Sequence, residues 1–360
     1  MAPVLQRRRE LSNVFENGFD PLHSVPMGRR PTINDVAVAA GVSVATVSKA
    51  VNGRYGIAPE TIARVLKVVE ELGYESSLVA SSMRSRKTGV IGVLVADFEP
   101  FSAEILKGVG SELRGSHFDL LAYAGSRQVE GPGWERRSLQ RLSGTLIDAA
   151  IMVTPTVVSA SADIPIVAID PHAGRADLPT VESDSFGGAR QATQYLIELG
   201  HTRIAFMGGR PDLRSAALRD AGYRRALTDA GIPFDPSLVR DGLYQQQTAR
   251  EPAMSLLTAP NRPTAVFAAN DLSGIAILEV ASELGLDVPG DLSVVGFDDI
   301  HEASQMTPPL TTIHQPMQTL GATAARMVVA LMAGETLDTT HILLPTRLVP
   351  RATTAPPRVR

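Results

Sequence analysis

From Gly89 onward the chain alternates short apolar runs with amphipathic stretches, and this rhythm constrains its fold more than any other feature. The runs are VIGVLV (90–95), DLLAYA (119–124), AAIMV (149–153), PIVAI (165–169), RIAFMG (203–208), TAVFA (264–268) and SVVGF (293–297). Between them lie helical patterns, for example over 186–199, 215–230 and 272–285. Strands that alternate with helices imply parallel sheets covered on both faces. The segment is too long for one such sheet, so two similar lobes are expected. Ligands of these folds sit beyond the carboxyl ends of the strands, which directs attention to the loops after each run.

Before Gly89 the pattern is different. Thr32 with Asp35 three residues on forms a capping-box pattern, and Ala37, Ala39 and Ala40 suit a compact helix that Gly41 ends in a left-handed turn. Ser43 is placed to cap a second helix. Pro59 opens a third, in which Ile62, Val65, Leu66 and Val69 recur at helical spacing before Gly73. The stretch VSVATVSKAVNGR (42–54) has four valines and resembles a strand by propensity. As a strand it would set Lys49 on one face with Val47 and Val51. As a helix it separates Ser43, Val44, Val47, Ala50 and Val51 from Ala45, Ser48, Lys49 and Asn52. The helix is the better reading. A helix, a glycine turn and a second helix with a small polar face is the helix-turn-helix pattern, which reads base edges in the major groove of DNA. Ala45 and Thr46 allow close approach, Lys49 reaches a guanine or a phosphate, and the Ser and Thr hydroxyls suit phosphates. An ordinary helical hairpin is the alternative at this point.

Charge agrees with a nucleic-acid contact at one end. Residues 28–90 hold nine Lys/Arg against five Asp/Glu, whereas residues 91–360 hold 22 against 30, within a chain of net charge −4. There is no cysteine, which excludes disulfides and thiolate metal sites. The seven histidines show no metal-ligand spacing, and GVGSEL (108–113) lacks the third glycine of a dinucleotide fingerprint and lies inside a helical pattern. No phosphate-loop or nucleophile-elbow motif occurs, and Asp298-Asp299 on an extended loop point apart, so no catalytic residue, metal or cofactor is expected. No run approaches the roughly 18 apolar residues of a membrane helix, and none of signal-peptide length follows Arg7-Arg8-Arg9. A cytoplasmic protein with no membrane partner is therefore expected. Residues 1–30 read as a disordered arm, and Met27 suggests that residues 1–26 are an upstream extension.

The motif TINDVAVAAGVSVATVSKAVNG resembles the N-terminal signature of the lactose-repressor (LacI/GalR) family of bacterial transcription regulators. The likeness continues through PETIARVLKVVEELGY, LIELGHTRIAFMGG, RDAGYRRAL, RPTAVFAANDLSGIAIL, LDVPGDLSVVGFDDI and PPLTTIHQP, covering about residues 31–352. It implies an all-α helix-turn-helix headpiece (31–75), a hinge helix or linker (76–88) and an α/β body of two doubly wound parallel-sheet lobes, resembling periplasmic binding proteins (89–352). Lobe 1 would take 89–171 and 314–331, lobe 2 would take 172–313 and 332–352, and 353–360 would be a tail.

By motif position Val44, Ala45 and Lys49 match base-reading residues. Thr32, Ser43, Thr46, Ser48, Asn52 and Tyr74 match the remaining DNA contacts. In the hinge, Met83 stands at the position of a minor-groove wedge with Arg84 beside it, while Ser76, Ser77 and Ser81 depart from the family pattern. The implied function is a homodimeric repressor on a near-palindromic operator, controlled by a sugar effector at Phe101, Asp170, His172, Arg219, Tyr244, Asn270 and Asp298. Pro171, beside His172, is expected to help select it. Carboxylates, an amide and a guanidinium suit vicinal hydroxyls, and an aromatic ring suits a pyranose face. Alternatives stay open: Arg219–Asp298 as a structural ion pair, Asp170 as a loop cap, Phe101 or Tyr244 as core. At the level of function, a purine-like corepressor and a sugar-transport component are the other readings.

Overall fold

The computed structural model describes residues 31–51, 56–74, 87–125, 133–156, 163–172 and 178–358. The expected arm, Asn52 and the hinge positions Ser76, Ser77, Ser81, Met83 and Arg84 lie outside the described residues. The chain divides into two compact units, residues 1–81 and 82–360.

The first unit holds α1 (Ile33–Ala40), α2 (Val44–Val51) and α3 (Pro59–Leu72). The Asp35 carboxylate accepts hydrogen bonds from both the backbone N–H and the hydroxyl of Thr32, each at 2.7 Å, which fixes the start of α1. Gly41 ends it at φ 64°, a conformation that costs glycine nothing. The Ser43 hydroxyl then accepts the Thr46 N–H at 3.1 Å and caps α2. Val36, Ala37, Ala40, Val47, Ala50, Val65 and Tyr74 form the core. Of the valines expected to pack inward from α2, Val47 is fully buried but Val44 is 36% exposed, which corrects its placement on the inner arc. Val44 begins the helix, where the neighbouring helices do not reach it.

The second unit holds two six-stranded sheets. The first comprises β1 (Val90–Val95), β2 (Asp119–Ala124), β3 (Ala149–Val153), β4 (Ile166–Ile169), β5 (Thr180–Ser183) and β11 (His341–Leu344), in the order β11-β5-β4-β3-β1-β2 and wholly parallel. The second comprises β6 (Ile204–Gly208), β7 (Val239–Asp241), β8 (Ala265–Ala268), β9 (Ser293–Asp298), β10 (Thr311–His314) and β12 (Arg347–Val349). Its order is β12-β10-β9-β8-β6-β7, with only β12 antiparallel. The two orders are the same, and each sheet reverses direction beside its first strand, at β1/β3 and β6/β8. A crevice opens at such a switch point, beyond the carboxyl ends of the strands.

Helices cover the sheets: α4 (Pro100–Leu113), α5 (Trp134–Leu142), α6 (Ser185–Glu198), α7 (Arg214–Asp229), α8 (Gln246–Leu257), α9 (Asp271–Glu283), α10 (His301–Gln305) and α11 (Met317–Met332). The glycine of GVGSEL serves packing: a Cβ on Gly108 would fall 2.0 Å from the Gln318 carbonyl oxygen, where α4 meets α11. None of the helices among the described residues is long and apolar enough to cross a membrane.

Two expected boundaries need correction. The resemblance places residues 172–313 and 332–352 in lobe 2, yet β5 pairs with β4, and β11 with β5, inside the first sheet. The chain crosses between lobes after Ser183, after His314 and after Leu344. TVES (180–183) is short and polar, so nothing in its sequence distinguishes it from a loop, and its pairing with β4 decides its lobe. The tail also starts too early at 353. Thr353 is fully buried, its carbonyl accepting the Val294 N–H at 2.8 Å and its hydroxyl donating to the Val294 carbonyl at 2.6 Å.

Candidate functional site

Each unit carries one candidate surface. On the headpiece, α2 leaves Val44, Ala45 and Lys49 exposed, with Ser43 exposed before them. Thr46 and Ser48 are half-buried, and the Thr46 hydroxyl lies 2.9 Å from that of Ser43. A small, mostly methyl-bearing face with one ammonium can approach a flat, grooved polyanion closely. Thr32 is occupied by its cap to Asp35. Tyr74 is only 8% exposed and packs in the core, so a DNA contact there falls to the edge of its side chain.

In the second unit a cleft forms between the carboxyl ends of the two sheets. It encloses about 910 Å³ including its open mouth, a size that suits a small-molecule ligand. Phe101, Asp170, His172, Arg219, Tyr244, Asn270 and Asp298, drawn from segments far apart in the chain, all line it. Pro171 instead lines a neighbouring hollow with Phe186 and Arg214.

Arg219 on α7 is 5% exposed and stacks on the Phe297 ring, its guanidinium carbon 3.8 Å from the centroid. It donates to the Ala269 carbonyl and lies 3.5 Å from Asp298 Oδ1. The pair thus has the geometry of a structural ion pair while facing the ligand space. The Tyr244 ring stands 5.4 Å from the same guanidinium and its hydroxyl 3.3 Å from Ser215 Oγ. Gly209 makes room for this ring, since a Cβ there would lie 2.1 Å from it. Asn270 is committed elsewhere: its carbonyl oxygen accepts the Ser273 N–H at 3.0 Å as the cap of α9, and its amide donates to the Tyr244 carbonyl at 2.9 Å. Its expected bonding to ligand hydroxyls is therefore limited.

Asp170 holds the turn after β4 at φ 44° and accepts the Ser183 N–H at 2.9 Å. Burial pushes its carboxyl up to about 6, against the opposing pull of the Ser183 bonds and Arg219. Burial likewise holds Asp298 well above the usual carboxylate range despite Arg219 and Gln315. Asp299 turns the other way, to His314 at 2.9 Å and Arg351 at 2.5 Å.

Sequence reasoning missed two groups that join the lobes. The Gln315 amide donates to Asp298 Oδ1 at 2.6 Å, and its carbonyl oxygen accepts the Ser183 hydroxyl, which also lies 3.3 Å from Asp170 Oδ2. A chain of polar contacts, Asp170–Ser183–Gln315–Asp298–Arg219, therefore passes along two of the three crossovers. Gln315 stood inside PPLTTIHQP, and its position after a β-rich stretch was the available signal. Also missed were Glu99, Glu135 and Trp134, the last being the only tryptophan of the chain.

Comparison with known proteins finds relatives of both units. Residues 32–77 match the model of bacterial regulatory proteins of the lacI family, and residues 193–354 match the periplasmic binding protein-like domain. The transcriptional regulator CelR of Thermobifida fusca is 34% identical over 342 residues, covering 90% of this chain and 98% of its own. The ribose operon repressor of Escherichia coli K12 is 35% identical over 327 residues, covering 89% and 98%. A solved Lac repressor dimer bound to operator and the anti-inducer ONPF superposes with a TM-score of 0.80 at 28% identity, covering 91% of this chain and all of that one. A solved CelR–cellobiose complex gives 0.67 at 34% identity, covering 90% and 100%.

Proposed function

The chain belongs to the lacI family of bacterial regulatory proteins, and from that premise we propose that it is a dimeric repressor released from a near-palindromic operator by a sugar. It is a DNA-binding transcriptional regulator and not an enzyme. Each protomer would present the exposed side of α2 to one major groove, with Lys49 as its main polar reader and Val44 and Ala45 against thymine methyl groups. The effector would seat against Asp170, Arg219 and Asp298, with Phe101 and Tyr244 as its apolar contacts and His172 at the rim. Relatives whose names include cellobiose or ribose support a sugar, and PurR relatives of similar identity are the reason purines belong in the test.

The observation that carries the reading is the convergence of seven separately positioned side chains on one cleft, beside a polar chain that joins the lobes. A sugar bridging Asp170 and Asp298 would alter that chain directly and favour one lobe arrangement. Regulation follows only if that arrangement and the DNA-bound one differ in effector affinity.

A gel-shift with DNA from upstream of its own coding sequence, at about 0.15 M salt, tests the reading. Sequence-specific retention that mono- or disaccharides reverse is the expected result. Retention indifferent to sequence would defeat it, and retention strengthened by purines would replace the inducer with a corepressor.

A further inference from the structure

We propose that the effector carries a protonated amine, as an amino sugar does, and that Glu135 and Glu99 receive it on the first-lobe wall of the cleft. This rests on reading the cleft as the effector site. The first-lobe wall carries four carboxylates, Asp97, Glu99, Glu135 and Asp170, and one imidazole, His172, with no Lys or Arg among its described residues. The two arginines of the cleft belong to the other lobe and already face acids: Arg210 bonds Asp212 at 2.8 Å, and Arg219 lies 3.5 Å from Asp298.

Glu135 gives the wall its direction. It is 1% exposed, and its Oε1 accepts both the N–H and the hydroxyl of Thr156, at 2.8 and 2.7 Å. Its Oε2 is buried with no hydrogen-bond partner among the described residues. A buried carboxylate oxygen in that condition calls for a donor, and a charged donor forms the stronger bond. Glu99 is half-buried, and burial together with the nearby Asp97 raises its pKa, as expected where no cation is at hand. Closing the lobes over a neutral sugar would strip more water from these carboxylates and return hydroxyl donors without charge. An ammonium supplies three donors and the missing positive charge. A sugar phosphate would be repelled.

The test uses four ligands: the dimer of glucosamine, its N,N′-diacetyl form, cellobiose and glucose 6-phosphate. The first three share a 1,4-linked glucose skeleton: the glucosamine dimer and cellobiose differ in charge at similar size, and the diacetyl form is neutral and bulkier. Calorimetric titration of the full-length protein at about pH 6.5 keeps the amines protonated. The glucosamine dimer is expected to bind about tenfold or more tightly than cellobiose. Acetylation should abolish that advantage, and glucose 6-phosphate should not bind. Glu135→Gln should bring the glucosamine dimer down to within a few-fold of cellobiose, measured on the same variant. The melting temperature of the free variant reports any folding defect, and Glu99→Gln, on a half-buried side chain, provides the same test independently. Equal or tighter binding of cellobiose, equal binding of the acetylated dimer, or a preference that survives both substitutions overturns the inference. If cellobiose alone releases operator, the repressor reading stands and the amine inference falls. If none of the four binds, the effector part of both falls.

Discussion

Burial makes the Asp170 carboxyl a cost to folding at neutral pH. Its carboxyl titrates at about 6 in the folded protein, against about 4 in an unfolded chain, so the folded state holds the proton more tightly. Folding stability from this group is therefore lowest above pH 6 and recovers as the pH falls from 6 towards 4, by an amount on the order of 3 kcal/mol. Asp170→Asn keeps an acceptor for the Ser183 N–H while removing the titration. It is expected to raise stability at pH 7.5 by about 1–3 kcal/mol and to flatten the gain between pH 6 and 4, while weakening effector binding. Urea melts at both ends of this range check it, and unchanged stability at pH 7.5 would contradict it. On the headpiece, Lys49→Ala should lower operator affinity strongly, because no other exposed residue of α2 offers a long donor. Val44→Ala should mainly blur base preference. Selection from a randomised operator library measures both.

At the scale of elements, α2 shows how context overrules propensity. Three valines in eight residues favour a strand, but Gly41 turns the chain, Ser43 caps the helix, and Val47 and Ala50 find a core. Ser43→Ala should therefore destabilise the headpiece by about 1 kcal/mol, read by thermal melting. Gly209→Ala should act at a distance from any cap, displacing the Tyr244 ring and lowering effector affinity without loss of operator binding. Six of the seven apolar runs were legible because strands buried on both faces must be apolar throughout, whereas DLLAYA is a largely exposed edge strand whose apolar content alone marked it. TVES and TTIH (311–314) were not, because they lead into crossovers and bury polar groups that only partners elsewhere satisfy. Thr312, for example, donates to Asp271 at 2.5 Å.

For the whole molecule, the polar chain through Ser183 and Gln315 is the physical link between the lobes on which allostery would act. Gln315 is 1% exposed, so Gln315→Ala leaves Asp298 and the Ser183 hydroxyl short of partners inside the protein. If the effector draws the lobes together, small-angle scattering should show compaction in the unaltered protein and less of it in this variant, which should still bind operator and bind effector less tightly. Compaction equal to that of the unaltered protein would remove this chain from the mechanism.

The headpiece helices and the alternating α/β body were written in the sequence as local periodicity, and the cleft residues came with the family that the motifs resemble. The fold had to be seen to learn which sheet TVES joins, that Asn270 is largely consumed by capping α9, and that Glu135 lines the cleft with one oxygen unmatched among the described residues. The reason is common to all three. A strand's sheet, a side chain's remaining hydrogen-bond capacity and a carboxylate's surroundings depend on residues distant in the chain, and one-dimensional spacing carries no record of them.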